Sequence, residues 1–127
     1  MTASTEEAIL LLRKADQDIA AFGILKDAPG IDAETALFHA QQAVEKCLKA
    51  VLAFHVVPYR KTHDLDELVD LALDRKIDFP FPADAFSLLF PFAAQVRYEH
   101  LPLEGISLEK AESMIMNART WAGSLIR

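Results

Sequence analysis

The sequence contains one cysteine, Cys47, and only four glycines among its 127 residues. One cysteine cannot form an internal disulfide, and no CxxC or Cys/His spacing indicates a zinc site. Cys47 falls on the apolar face of a predicted helix, so we interpret it as a buried structural thiol. The scarcity of glycine leaves long helices free to run without interruption.

Long apolar runs are absent as well. No run approaches the roughly eighteen residues that a helix needs to span a bilayer. The apolar run from Ala8 to Leu12 follows two glutamates and ends at Arg13, which does not fit a signal peptide. We therefore expect a cytoplasmic protein with no membrane contact.

Sequence motifs of common enzyme and cofactor sites are missing. The chain has no HExxH, no P-loop, no GxGxxG and no GxSxG, and its carboxylates are spread along helix surfaces. We expect no metal site and no cofactor. The net charge is −6, whereas proteins that bind nucleic acid without sequence preference usually carry a basic surface. Any RNA contact must therefore be local or be supplied by a partner.

Apolar residues recur at helical spacing in five segments, and no segment alternates as a strand does. The predicted helices cover about Thr5 to Leu25, Asp32 to Phe54, Asp64 to Leu73, Ala83 to Tyr98, and Ser107 onward. Short connections between amphipathic helices favour antiparallel packing. The sequence thus predicts one all-α domain over residues 1–127, an antiparallel up-and-down bundle of about five helices.

Helix ends are indicated by capping residues. Ser4 and Glu7 form a capping-box pattern at the first helix, and Asp64 is a good N-cap for the third. Pro91 lies inside the fourth predicted helix and should kink it or split it into two pieces.

The second predicted helix is the longest and has two distinct faces. Its apolar face carries Leu37, Ala40, Ala43, Val44, Cys47, Leu48 and Val51, and its polar face carries Gln42, Glu45, Lys46 and Lys49. Glu45 and Lys49 are spaced i, i+4, which is typical of a solvated helix pair. Phe38 lies on the same polar face, and an aromatic residue there suggests a subunit contact.

Arg97 is the strongest single candidate for chemistry. Phe90, Ala93 and Arg97 follow one another at helical spacing, which predicts that Arg97 lies on a buried stripe. A buried guanidinium needs an acceptor. Arg97 is therefore either half of a structural ion pair with Glu45 or Asp64, or a phosphate-binding or catalytic arginine at a groove.

Histidines offer further candidates. Pro102 should end the fourth helix near His100 and leave it at a loop mouth, as a general base or as a solvent-facing residue. His63 and Asp64 lie at a helix start, where Asp64 caps the helix and His63 packs nearby, or where both join Arg97 in a polar pocket. His55 is predicted to be a core or capping histidine, and His39 to be exposed.

Three segments of the sequence, AQQAVEKCLKAVL, THDLDEL and VRY, occur in this order and spacing, and together they resemble the small prokaryotic HEPN domain proteins. The resemblance extends from Ala15 through the last predicted helix. It implies a helical bundle that pairs as a homodimer. Such proteins are commonly encoded beside a minimal nucleotidyltransferase, as the toxin half of a toxin–antitoxin pair.

Many HEPN proteins are metal-independent endoribonucleases whose motif is an arginine followed, after a short spacer, by a histidine at a dimer cleft. There the histidine activates a ribose 2′-hydroxyl and the arginine steadies the phosphate. Arg97 matches the family arginine, but only two residues separate it from His100, which is too short a spacer. The chain instead resembles the branch with an Arg-Tyr pair, here Arg97 and Tyr98.

The resemblance implies nucleotide or RNA contacts at five residues: Lys49, His63, Asp64, Arg97 and Tyr98. Three functions follow as hypotheses. The first is a non-catalytic or weakly catalytic dimer that acts with a nucleotidyltransferase partner and either binds nucleotide or RNA or is modified by that partner. The second is a ribonuclease toxin that uses Arg97 and His100, although the short spacer predicts weak RNA cleavage or none. The third is a helical interaction module without a ligand.

Overall fold

A computed structural model describes residues 2–93 and 106–126 of the chain. These residues form four α-helices and one 3₁₀ helix, without a strand in the described part. The elements are α1 (Ala3–Leu25), α2 (Ala33–Phe54), α3 (Leu65–Asp74), the 3₁₀ helix (Ser87–Phe92) and α4 (Leu108–Leu125). The prediction of an all-α helical bundle is confirmed. None of these helices is long and apolar enough to cross a bilayer.

The fourth predicted helix is wrong as an α-helix over its described part. That part contains only the six-residue 3₁₀ helix, with Pro91 inside it. Proline has no amide hydrogen and its ring clashes with the carbonyl four residues earlier, so a regular α-helix cannot pass through this position. The predicted continuation to Tyr98 lies outside the described residues.

Of the two predicted helix caps, the one at Asp64 is confirmed, and α4 begins at Ser107 as predicted. The Asp64 carboxylate accepts from the amides of Asp66 and Glu67 at 3.1 and 3.3 Å, and the Ser107 hydroxyl caps α4. At α1 the predicted capping box of Ser4 and Glu7 is wrong, because the helix begins earlier. Thr2 is the cap there, and its hydroxyl accepts from the Thr5 amide at 3.1 Å.

Helix α2 is the central element, and it contacts α1, α3, the 3₁₀ helix and α4. Its apolar face is buried as predicted, including Cys47. Burial raises the pKa of the Cys47 thiol to about 12, which leaves it protonated and unreactive near neutral pH. The structural interpretation of this cysteine is confirmed.

The connection from α2 to α3 positions the polar residues described below. Helix α2 ends in a Schellman motif in which the Val57 amide donates to the Leu52 carbonyl at 2.8 Å. Val56 has a φ of 57° at the position where glycine is usual. The chain then runs back along α2, because the His63 carbonyl accepts a hydrogen bond from Gln41, in the first half of that helix.

Candidate functional site

The side chains of four residues form a connected polar group between α2 and the segment before α3. They are Gln41, Glu45, Lys49 and His63, and we call this group the Glu45 site. Glu45 is its centre, and this residue is only 4% exposed. One carboxylate oxygen, Oε1, is 2.7 Å from His63 Nδ1, and the other accepts from Lys49 Nζ at 3.0 Å.

Gln41 supports the Glu45 site from within the core. Its side chain is fully buried, and its amide donates to Glu45 Oε1 at 3.2 Å and to the His63 backbone carbonyl at 3.1 Å. Its own oxygen accepts from the Gln42 amide at 2.7 Å. Since a buried amide is costly unless it is hydrogen-bonded, these contacts hold Gln41 in one orientation.

Glu45 and Lys49 form the predicted ion pair, but the prediction that this pair is solvated is wrong. The Lys49 side chain is 15% exposed and the Glu45 side chain 5%. The returning segment with His63 packs beside this face of α2, and a helical wheel of α2 alone contains no information about that segment. Because little water reaches the Glu45 carboxylate, its charge is stabilised by its three partners, Gln41, Lys49 and His63.

His63 and Asp64, predicted either to pack and cap at the start of α3 or to join Arg97 in a polar pocket, have different partners. The His63 side chain is 62% exposed and joins the Glu45 site through Nδ1. The Asp64 carboxylate oxygen Oδ1 is used by the first turn of α3. For Asp64 the structural interpretation as a helix cap is therefore confirmed. Its proposed contact with nucleotide or RNA stays a prediction.

A second buried acid was missed in the sequence. Asp18 of α1 is 8% exposed and bonds to His39 and Lys46 of α2. Asp18 lies three residues after Ala15 and four before Phe22, and this position within the apolar stripe of α1 was the available signal. His39, predicted to be exposed, has only 23% of its side chain exposed because it pairs with this acid.

The remaining predictions on α2 have mixed outcomes. His55 is a capping histidine as predicted, since its Nδ1 is 2.8 Å from the Val51 carbonyl, but it is exposed and does not pack in the core. Phe38 is half-buried, and its ring meets His39 edge-on at 5.2 Å between centroids. Its role as a subunit contact stays a prediction.

An open groove lies next to the Glu45 site. Lys49 Nζ is 5.8 Å from the centroid of the Tyr59 ring, and Tyr59 is also part of the groove wall. The groove has a volume of about 500 Å³ and is lined by Ser4, Glu7, Ala53, Val56, Val57, Pro58 and Tyr59. Burial, followed by the nearby Glu7 carboxylate, raises the pKa of the Tyr59 hydroxyl, so this residue stays a neutral donor.

Three predicted site residues, Arg97, Tyr98 and His100, lie outside the described residues. The expected ion pair of Arg97 with Glu45 or Asp64 therefore stays a prediction. Within residues 2–93 and 106–126, no cluster of three or more histidine, cysteine, aspartate or glutamate side chains could hold a metal ion.

The family model described as HEPN domain matches residues 8–121, which is nearly the whole chain. Searches of curated proteins and of solved structures gave no match.

Proposed function

Because the chain belongs to the HEPN domain family, we propose that it is a nucleotide- or RNA-binding protein that acts as a homodimer with a minimal nucleotidyltransferase partner, in a toxin–antitoxin type system. The Glu45 site is the observation that supports ligand binding. It combines a lysine and a mostly exposed histidine on a buried acidic support. The resemblance of the sequence to HEPN toxins supports the dimer and the partner.

The charges of the Glu45 site suit a phosphate group. One carboxylate, that of Glu45, is shared by Lys49 and His63. The Lys49 ammonium has further N–H donors besides the one that it gives to Glu45, and a phosphate oxygen can accept from them. Lys49 is thus a local cation in a chain whose overall composition is acidic, with 19 acidic and 13 basic residues.

The neighbouring groove suits a nucleobase. Its walls are mostly apolar, with a serine and a glutamate at one side. A volume of about 500 Å³ is within the usual range of small-ligand sites. Since Tyr59 contacts both the groove and Lys49, a nucleotide could place its base in the groove and its phosphate near the Glu45 site.

Binding provides the test of this proposal. We expect Lys49→Gln to raise the Kd for a fluorescein-labelled RNA oligonucleotide, or for ATP, about tenfold, because a charge-assisted contact of about 1.4 kcal/mol is lost. Fluorescence anisotropy and calorimetry measure this. Lys110→Gln is the matched control, since Lys110 is an exposed lysine on α4.

Equal weakening by Lys49→Gln and Lys110→Gln would mean that binding is unspecific, and no binding by the wild type would contradict the proposal. Circular dichroism of Lys49→Gln must show an intact helical fold, because the variant leaves Glu45 without its ammonium partner.

The homodimer is tested by sedimentation. At micromolar concentration we expect roughly twice the chain mass of 14.1 kDa, because the family resemblance implies a symmetric pair and Phe38 on α2 offers a subunit contact. A clean monomer under these conditions would count against the dimer. The nucleotidyltransferase partner is tested by the neighbouring gene and by co-purification with its product.

The second candidate function is a metal-independent ribonuclease. The sequence pair Arg97 and His100 suggests this function, and both residues lie outside the described part of the chain. A different observation within the Glu45 site favours it, namely the contact of His63 with a buried carboxylate. The third candidate, an interaction module without a ligand, predicts no binding of RNA or nucleotide.

A further inference from the structure

The side chain of Tyr59, in the groove wall, lies close to two groups of opposite charge. Its hydroxyl oxygen is 3.5 Å from Glu7 Oε1 of α1, and the centroid of its ring is 5.8 Å from Lys49 Nζ of α2. Tyr59 therefore bridges an anionic and a cationic group. A ligand that lies along this side chain must offer hydrogen-bond donors to the carboxylate and an anionic group to the ammonium.

The Glu7 carboxylate has unused capacity to accept hydrogen bonds. Glu7 is exposed, and within residues 2–93 and 106–126 its one polar contact is the Tyr59 hydroxyl, at the upper limit of hydrogen-bond length. An ionised carboxylate only accepts, and its two oxygens can accept from two adjacent donors. The neutral Tyr59 hydroxyl beside it can donate. The groove thus presents one donor next to two acceptors.

Guanine is the base whose edge matches this set of groups. Its O6 accepts, and the neighbouring N1–H and N2–H₂ groups both donate. In adenine and cytosine a ring nitrogen with a lone pair lies next to the amino group, and in uracil the single N–H lies between two carbonyls. Each of these three bases would place a lone pair against the Glu7 carboxylate, which costs binding energy.

Two other cavities of the described chain lack this combination. One has a volume of about 240 Å³, and its one cation, Lys26, is paired with Glu112 at 2.6 Å. The other has a volume of about 260 Å³ and no aromatic side chain, and it is lined by Glu6, Ile9, Leu10 and Arg13. Both are smaller than the usual small-ligand site of at least about 300 Å³.

We infer that the groove selects guanine, so that the ligand is a guanine mononucleotide with its base at Glu7 and Tyr59 and its phosphate at Lys49. Glu7 is the residue that determines this specificity. The inference rests on the nucleotide binding proposed above and adds the identity of the base. An unpaired guanine of RNA presents the same edge, so GMP should compete with such an RNA for the groove.

Calorimetry with three mononucleotides tests the choice of base. We expect the Kd of GMP to be about 10- to 100-fold lower than that of AMP, because only guanine offers two adjacent donors to a carboxylate. Inosine monophosphate keeps N1–H but lacks the 2-amino group, so its Kd should lie between the two. All three ligands carry the same ribose and phosphate, and the comparison therefore reports on the base alone.

Glu7→Gln should reverse the preference of the groove. The glutamine amide offers one acceptor and one donor, which match the amino group and N1 of adenine and leave one donor of guanine facing an amide N–H₂ group. We expect the Kd of GMP to rise about 10- to 100-fold and the Kd of AMP to fall. Glu6→Gln is the matched control, because Glu6 is the preceding exposed residue of α1 and lines a different cavity. It should change neither Kd.

Lys49→Gln separates the recognition of the base from that of the phosphate. It should weaken GMP and AMP by the same factor, because the phosphate is common to both. Equal Kd values for GMP and AMP, a GMP preference that survives in Glu7→Gln, or RNA binding that GMP does not compete with would overturn the inference and leave the proposed function standing. No binding of any nucleotide or RNA would overturn both.

Discussion

Replacing Glu45 by alanine should lower the free energy of unfolding by about 3–5 kcal/mol, because it breaks a buried ion pair by removing one partner. The Lys49 ammonium, with its side chain 15% exposed, would lose its acid. The fully buried Gln41 amide would lose one of its two acceptors. Urea denaturation followed by circular dichroism measures this loss.

Glu67→Ala is the matched control for this prediction. Glu67 also pairs with a cation, Arg60, through both carboxylate oxygens, but the Arg60 side chain is 70% exposed. Water replaces the lost partner there, so the loss of stability should be far smaller than in Glu45→Ala. Equal losses in the two variants would contradict the burial of the Glu45 site.

Trp121→Ala should cost about 3–5 kcal/mol of unfolding free energy, the usual range for removing a buried aromatic side chain. Trp121 of α4 is 5% exposed, and its ring meets Phe79 edge-on at 5.3 Å between centroids. Its indole donates to the Asp78 carbonyl at 2.6 Å. The residue therefore joins α4 to the segment that follows α3.

Trp121→Phe separates the two contributions of this residue. Phenylalanine keeps most of the packing but leaves the Asp78 carbonyl without its donor, so we expect a smaller loss of about 1–2 kcal/mol. Far-ultraviolet circular dichroism is the suitable probe, because the variants remove the only tryptophan of the chain. A loss below about 1 kcal/mol in Trp121→Ala would mean that α4 is held mainly by other contacts.

Much of the fold could be predicted from local patterns. The periodicity of apolar residues predicted the start of the central helix α2 to within one residue, because Asp32 is the N-cap of that helix. Asp64 and Ser107 marked the starts of α3 and α4 for the same local reason, since a short polar side chain satisfies free amides of a first turn. Pro91 indicated an interruption, but its position alone does not specify a 3₁₀ helix.

The candidate site was only partly predictable, because its chemistry depends on tertiary contacts. The sequence singled out Glu45, Lys49 and His63 separately. It placed Glu45 and Lys49 on a solvated face because the periodicity of α2 contains no information about the segment that returns beside it. Gln41 had no predicted role for the same reason. Asp18 was missed although a charged residue within an apolar stripe is a recognisable signal of a buried pair.

A nuclear magnetic resonance titration with RNA tests the central claim, that ligand binds at the Glu45 site, most directly. In ¹H–¹⁵N spectra of the labelled protein, increasing amounts of an RNA oligonucleotide should shift the imidazole signals of His63 and the amide signals of residues 45–49 and 59–64. These shifts should saturate together, while the exposed Lys110 on α4 remains unchanged. Saturable shifts confined to α4, or no saturable shifts at all, would contradict the claim.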